Sequence, residues 1–174
     1  DVEARGCGFL NDGRPLILFE RHKFYEHLSK AKGEAAAKAV MASNPNICHP
    51  QWDKSAYRGK EGEYPRLQQA MQFDKAAALK SASWGMFQIM GDNHKACGFS
   101  TVEAFVESVK LNESEHFKGL INFIRDPGNK RILDAIKAKD FVSLARYYNG
   151  PGYAANQYDV KLRNAATLYW VTIL

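Results

Sequence analysis

The sequence lacks the patterns that mark several large classes of protein. No apolar run approaches the roughly 18 residues that suggest a transmembrane helix, so we expect no membrane insertion. No signal peptide is visible, and the chain reads from its start as part of a folded domain. The net charge is +5, but Lys and Arg are interspersed with acids throughout the 174 residues. No block of basic residues is present, which argues against nucleic-acid binding.

Metal-binding and redox motifs are also missing. The only cysteines are Cys7, Cys48 and Cys97. They form no C-x-x-C pair, and their odd number leaves at least one thiol free. His22 and His27 do not fit the H-E-x-x-H pattern of zinc enzymes, so surface or hydrogen-bonded histidines are the simpler interpretation. We therefore expect no metal and no organic cofactor.

Helical periodicity dominates what is present. The spacing of apolar residues predicts helices over 21–42, with a break at Gly33, and over 63–80, 101–110, 113–124, 132–138, 141–148 and 158–169. Residues 43–62 are rich in Pro, Asn and Gly and are predicted to form a long exposed loop. The length and the absence of repeats or linkers indicate one mainly α-helical domain over 1–174.

The first twenty residues contain a predicted β-hairpin between two carboxylates. Residues 9–20 hold two apolar runs around Asn11, Asp12 and Gly13, and glycine after Asn or Asp supplies the positive φ of a tight turn. The hairpin would bring Glu20 back towards Glu3. Two carboxylates in different surroundings are what glycoside hydrolysis requires, although most glutamates are ordinary surface groups.

Three further side chains have two readings each. Gln88 lies in an otherwise apolar stretch, where an amide must find a hydrogen-bond partner, so it faces either a cleft or a buried polar group. Trp52 and Tyr57 lie in the predicted loop. Each could stack on a sugar, or could anchor the loop to the core.

Short motifs in a fixed order resemble the lysozyme-like superfamily of goose-type lysozymes and lytic transglycosylases. They are residues 3–6 (EARG), 83–88 (SWGMFQ) and 148–150 (YNG). Together with 13–24 (GRPLILFERHKF) and 63–70 (EYPRLQQA), they most resemble the N-acetylmuramidases of phage endolysins. The resemblance covers nearly the whole chain and implies a lysozyme-like helical domain with a small β-hairpin beside the catalytic cleft.

The resemblance also implies a function and a set of site residues. The reaction would be cleavage of the β-1,4 bond between N-acetylmuramic acid and N-acetylglucosamine in peptidoglycan. Glu3 matches the general acid and Glu20 the second carboxylate. The positions that match residues lining the cleft or flanking the acid are Ser83, Gln88, Tyr148 and Asn149.

Several alternatives stay open at this point. Asp92 and, less well, Glu63 are other candidates for the second carboxylate, Glu63 being more plausibly a helix-start charge. Glu3 has too few residues before it to sit in a helix, so we expect an upstream segment. The domain could also be a lytic transglycosylase or a non-catalytic glycan-binding module.

The same resemblance gives the expected partner and location. The partner would be the glycan strands of bacterial peptidoglycan, bound by a monomer. The protein would act in the periplasm or cell wall, after secretion or release at lysis.

Overall fold

The computed structural model describes residues 7–170. In this part of the chain, the helices are α1 (Arg21–Lys32), α2 (Glu34–Ser43), α3 (Glu63–Met71), α4 (Lys75–Lys80), α5 (Val102–Val109), α6 (Glu113–Arg125), α7 (Lys130–Ala138), α8 (Phe141–Asn149) and α9 (Tyr158–Trp170). The strands are β1 (Ile17–Phe19), β2 (Ala82–Trp84) and β3 (Ile89–Met90). The prediction of a mainly α-helical fold is confirmed.

The three strands form one antiparallel sheet in the order β1-β2-β3. Phe19 pairs with Ala82, and Ser83 pairs with Met90. The hairpin predicted over 9–20 is shorter than expected: its two arms share a single bridge, between Phe9 and Pro15. The second arm continues as β1 and pairs with β2, because the longer sheet satisfies more of its backbone groups.

Two breaks divide the long predicted helices. Gly33, at φ 90°, ends α1 and confirms the predicted interruption. The predicted helix over 63–80 is wrong as one piece, since α3 ends at Met71 and α4 begins at Lys75. Asp74 causes the restart, because its side chain accepts a hydrogen bond from Ala77 N at 2.9 Å and caps the second helix.

The helix caps agree with the sequence in one case and differ in another. Asp140 caps α8 as predicted, by accepting from Ser143 N at 3.0 Å. Thr101, and not the expected Ser100, caps α5. On α6, Phe117 and Ile121 were expected in the core but are 52% and 42% exposed.

The hydrophobic core lies between the sheet and helices α1 to α5. Phe19 and Phe24 are fully buried, and their rings lie 5.8 Å apart. Trp84 donates from its indole to Leu79 O at 3.0 Å, which ties β2 to α4. This packing fixes the end of β1, where the chain enters α1. Among the residues described, every helix is too short or too polar to cross a lipid bilayer.

Candidate active-site cleft

An open cleft with a volume of about 720 Å³ lies where the junction of β1 and α1 faces the chain that follows α8. Its lining mixes charged, amide and aromatic side chains, the composition expected for a polar ligand. One wall consists of Glu20, His22, Lys23, Trp52, Lys54 and Met90. The other wall consists of Asn149, Gly152, Ala155, Asn156 and Tyr158.

Glu20 is the only carboxylate that lines this cleft among the described residues. It immediately follows β1, and its backbone N–H donates to Ser81 O at 2.9 Å. Its side chain is 16% exposed. Its Oε2 accepts a hydrogen bond from the Tyr57 hydroxyl at 2.7 Å. Glu20 therefore lies at the end of the second hairpin arm, as the sequence predicted. In the folded chain this position lines the cleft.

Two titratable side chains, His22 and Tyr57, lie close to Oε2 of Glu20. His22 Nδ1 lies 3.4 Å from this oxygen. Burial lowers the pKa of His22 more than the Glu20 charge raises it, so the imidazole is held largely neutral at pH 7. Burial, and then the hydrogen bond to Glu20, raise the pKa of Tyr57. Tyr57 is therefore a neutral donor throughout the physiological range.

A second carboxylate, Glu63, lies behind Glu20 and is fully buried. Its Oε1 accepts hydrogen bonds from the backbone N–H groups of Arg58 and Gly59, at 2.6 and 2.9 Å. Its Oε2 contacts the Phe19 N–H at 3.4 Å and the Arg66 guanidinium at 2.5 Å. Glu63 lies in the first turn of α3, as expected of a helix-start charge, but it is fully buried and is a structural group.

Arg66 completes this buried ion pair and is 4% exposed. Its Nη1 donates to Phe19 O and its Nη2 donates to Asn46 O, both at 2.9 Å. The pair therefore joins α3 to the end of β1 and to the long loop. Both elements supply groups to the cleft, so Glu63 and Arg66 fix its shape from behind.

The opposite wall begins where α8 ends. Gly150, at φ 79°, ends the helix in a conformation that favours glycine and leads into the 3₁₀ turn Pro151–Asn156. Asn149, the last residue of α8, lines the cleft. Tyr148 donates its hydroxyl to Phe87 O at 2.9 Å. Of the predicted tyrosine and asparagine pair, Asn149 lines the cleft and Tyr148 joins its wall to the loop between β2 and β3.

Ser83, in β2, and Gln88, just before β3, are hydrogen-bonded to each other. Ser83 Oγ donates to Gln88 Oε1 at 2.8 Å, and Gln88 Nε2 donates to Gly85 O at 2.8 Å. The Gln88 backbone has a positive φ of 49°. Neither side chain is among those that line the cleft in the part of the chain described. They brace the turn between β2 and β3, and β3 ends at the cleft residue Met90.

Asp92, the other candidate carboxylate among the described residues, lies away from this cleft. Asp92 lines a different cavity, and its Oδ2 lies 3.8 Å from Nε2 of His27. Glu3 falls outside residues 7–170. The described part of the chain contains no cluster of three or more His, Cys, Asp and Glu side chains suited to a metal ion. Cys7, Cys48 and Cys97 are all free thiols.

The long loop contributes both of its aromatic side chains, in different ways. Trp52 is 58% exposed at the rim of the cleft, and Lys54 Nζ lies 5.7 Å from its ring centre. Tyr57 is partly buried and anchors the loop to Glu20. The sequence offered anchoring or stacking for each aromatic, and nothing in the local pattern showed that Tyr57 would meet a carboxylate.

The described part of the chain is a helical domain with a small antiparallel sheet, and its cleft holds the partly buried carboxylate of Glu20. The family model of the N-acetylmuramidases matches residues 1–169, and the chain belongs to this family. A crystal structure of the Burkholderia AP3 phage endolysin is similar, with 41% sequence identity and a TM-score of 0.85. The match covers 97% of this chain and 61% of the endolysin chain. No curated protein matched the sequence.

Proposed function

We propose that this domain hydrolyses bacterial peptidoglycan at the β-1,4 bond between N-acetylmuramic acid and N-acetylglucosamine. The observation that carries the proposal is the partly buried carboxylate of Glu20 in an open cleft of about 720 Å³. Membership of the N-acetylmuramidase family supports the choice of substrate. A cleft that is open to solvent suits a polymer chain, which has to enter from the side.

The proposed chemistry uses two carboxyl groups. Glu3, as general acid, protonates the glycosidic oxygen of the leaving sugar, and Glu20 positions a water or stabilises the oxocarbenium-like transition state. Glu20 suits the second role because its environment combines partial exposure with a neutral hydroxyl donor. The separation of the two carboxyl groups would decide between retention and inversion of the anomeric carbon.

The path of the chain supports a role for Glu3 close to Glu20. The N–H of Leu16 donates to Gly8 O at 2.9 Å, so the chain near its start runs beside the segment that leads to Glu20. Gly8 is itself held by Glu113, whose Oε1 accepts from the Gly8 N–H at 2.8 Å. Only the short segment from residue 4 to residue 7 separates this anchored point from Glu3.

The rest of the cleft offers groups that suit an N-acetylated sugar. The exposed indole of Trp52 provides an apolar face for a sugar ring. Asn149 and Asn156, on the opposite wall, carry amides that can bond to hydroxyl or acetamido groups. Lys23 and Lys54 lie in the same cleft and favour the carboxylates of peptidoglycan stem peptides.

The test is digestion of purified peptidoglycan by the parent chain, by Glu3→Gln and by a control, Glu34→Gln, followed by mass analysis of the fragments. Glu34 is a suitable control because it is an exposed acid on α2, 66% accessible, and paired only with Lys38. We expect reducing-end muropeptides from the parent and the control but not from Glu3→Gln.

The same digestion separates the competing functions. Anhydro-muropeptides from the parent would identify a lytic transglycosylase, in which a sugar hydroxyl takes the place of water. Binding of peptidoglycan without fragments from any variant would identify a glycan-binding module. In the hydrolase reading the partner is a glycan strand, the protein works as a monomer, and the place of action is the cell wall.

A further inference from the structure

We propose that Tyr57 is a positioning residue for the second carboxylate: its hydroxyl holds Oε2 of Glu20 and so directs Oε1 towards the reacting water. The inference rests on the proposed hydrolase function and concerns a residue that the sequence motifs do not single out. The contact is the 2.7 Å hydrogen bond from the Tyr57 hydroxyl to Oε2. A hydrogen bond to an ionised carboxylate is about twice as strong as one between neutral groups.

The two oxygens of Glu20 have different environments. Oε2 accepts from Tyr57 and also has His22 Nδ1 at 3.4 Å. Among residues 7–170, no group donates a hydrogen bond to Oε1. A carboxylate that is held through one oxygen can present the other to water in a defined direction. General-base catalysis requires such alignment as well as a suitable pKa.

Both partners of this hydrogen bond are anchored by the same buried group. Glu63 accepts from the N–H of Arg58, which follows Tyr57, and lies 3.4 Å from the N–H of Phe19, which precedes Glu20. One fully buried carboxylate therefore holds the backbone beside each partner. The distance between Tyr57 and Glu20 is fixed by the core and not by the loop alone.

A second anchor holds the loop on the other side of Tyr57. Asp53 accepts from the N–H of Ser55 at 2.9 Å and pairs with Arg21 Nη2 at 2.9 Å. Arg21 is the residue after Glu20 and the first residue of α1. The loop that carries Tyr57 is thus tied to the chain immediately before and immediately after Glu20. Such support is what a preorganised site needs.

Tyr57→Phe removes the hydroxyl and keeps the ring, and Tyr64→Phe is the matched control. Tyr64 is also partly buried and donates one hydrogen bond of similar length, 2.8 Å, but to a backbone carbonyl, Pro15 O. The melting temperature should therefore fall by a similar amount in both variants. Rates of reducing-end release from soluble peptidoglycan fragments are measured for the parent and both variants across substrate concentrations, which gives kcat and KM.

We expect Tyr57→Phe to lower kcat about tenfold with KM nearly unchanged, because the hydrogen bond aligns the carboxylate and does not bind the sugar. Tyr64→Phe should match the parent in both respects.

Three results would overturn the inference. Equal kcat values for the two variants would mean that the Tyr57 hydroxyl only supports the fold. A rise in KM at constant kcat would mean that it serves sugar binding. Absence of turnover by the parent would reject the proposed function, and with it this role, whereas turnover by the parent with either of the first two results rejects the positioning role alone.

Discussion

Two glutamates near the end of β1, Glu63 and Glu20, differ in burial and in the hydrogen bonds of their oxygens, and we propose different roles for them. Glu63 is fully buried, and both of its oxygens contact backbone N–H groups or Arg66. Glu20 keeps a side-chain exposure of 16%, and only its Oε2 has a hydrogen-bond or ion-pair partner in the part of the chain described. A carboxylate with every lone pair occupied stabilises the fold, whereas one with an unoccupied oxygen in a cleft can act on a ligand.

The two glutamates are connected, because Glu63 holds the backbone next to Glu20. Glu63 fixes the backbone at Phe19 and Arg58, and these residues adjoin Glu20 and Tyr57. The buried group can do so because its charge is balanced by Arg66, without which a buried carboxylate would be very unfavourable. The comparison therefore predicts opposite consequences for the same chemical change at the two positions.

The largest effect is expected from Glu20→Gln on the rate. An amide can neither act as a base nor balance a developing positive charge, so kcat should fall by about 10² to 10⁴. The free energy of unfolding should change by at most about 1 kcal/mol, because one neutral hydrogen bond can replace a charged one. Kinetics on peptidoglycan and urea denaturation measure the two quantities. A large loss of stability with little loss of rate would reverse the assignment.

Glu63→Gln should affect stability instead. The substitution leaves the buried Arg66 without a counter-charge, which costs about 3–5 kcal/mol in the free energy of unfolding. Urea denaturation of this variant and of the exposed control Glu34→Gln gives the difference. If the two variants unfold at the same urea concentration, Glu63 does not support the cleft as described.

A smaller effect is expected from Trp52→Ala, which removes an exposed ring at the rim of the cleft. The lost stacking interaction contributes about 0.5–1.5 kcal/mol to sugar binding. Its loss should raise KM roughly 2- to 10-fold and leave kcat nearly constant. Leu111→Ala is the control, because Leu111 is also largely exposed, at 70%, and lies outside the cleft lining. Equal KM values for the two variants would remove Trp52 from the binding surface.

The smallest effect concerns Glu26 on α1. Hydrogen bonds from Lys30 and Lys23 lower its pKa from 4.5 to about 2. Its ionised form is therefore favoured in the folded state, and this contribution is present above pH 4.5 and is lost as the pH falls towards 2. The side chain is 42% exposed, so the contribution should be at most about 1 kcal/mol.

Denaturation of the parent and Glu26→Gln between pH 7 and pH 2 measures this contribution. The stability difference between the two chains should shrink as the pH falls through this range and should also shrink in high salt. A difference that is constant with pH would show that the Lys23 and Lys30 pairs contribute nothing.

Several features could be read from the sequence because they depend on neighbouring residues alone. Gly33 ends α1, Asp140 caps α8, and the turn at 11–13 folds the chain back ahead of Glu20. Motif order pointed to the family and to the helical fold. The roles of Glu3, Glu20, Ser83, Gln88, Tyr148 and Asn149 stay predictions, and of these Glu20 and Asn149 line the observed cleft.

Only the tertiary structure decided what surrounds each charged group. In sequence Glu63 looked like a charge at a helix start, and Tyr57 like one of two loop aromatics. Burial of Glu63 and the 2.7 Å bond from Tyr57 to Glu20 arise from contacts between residues that are 44 and 37 positions apart. Local pattern encodes turns, caps and periodicity, whereas desolvation and hydrogen-bond partners depend on which distant segments pack together. Those two properties separate Glu63, a buried structural carboxylate, from Glu20, for which we propose a catalytic role.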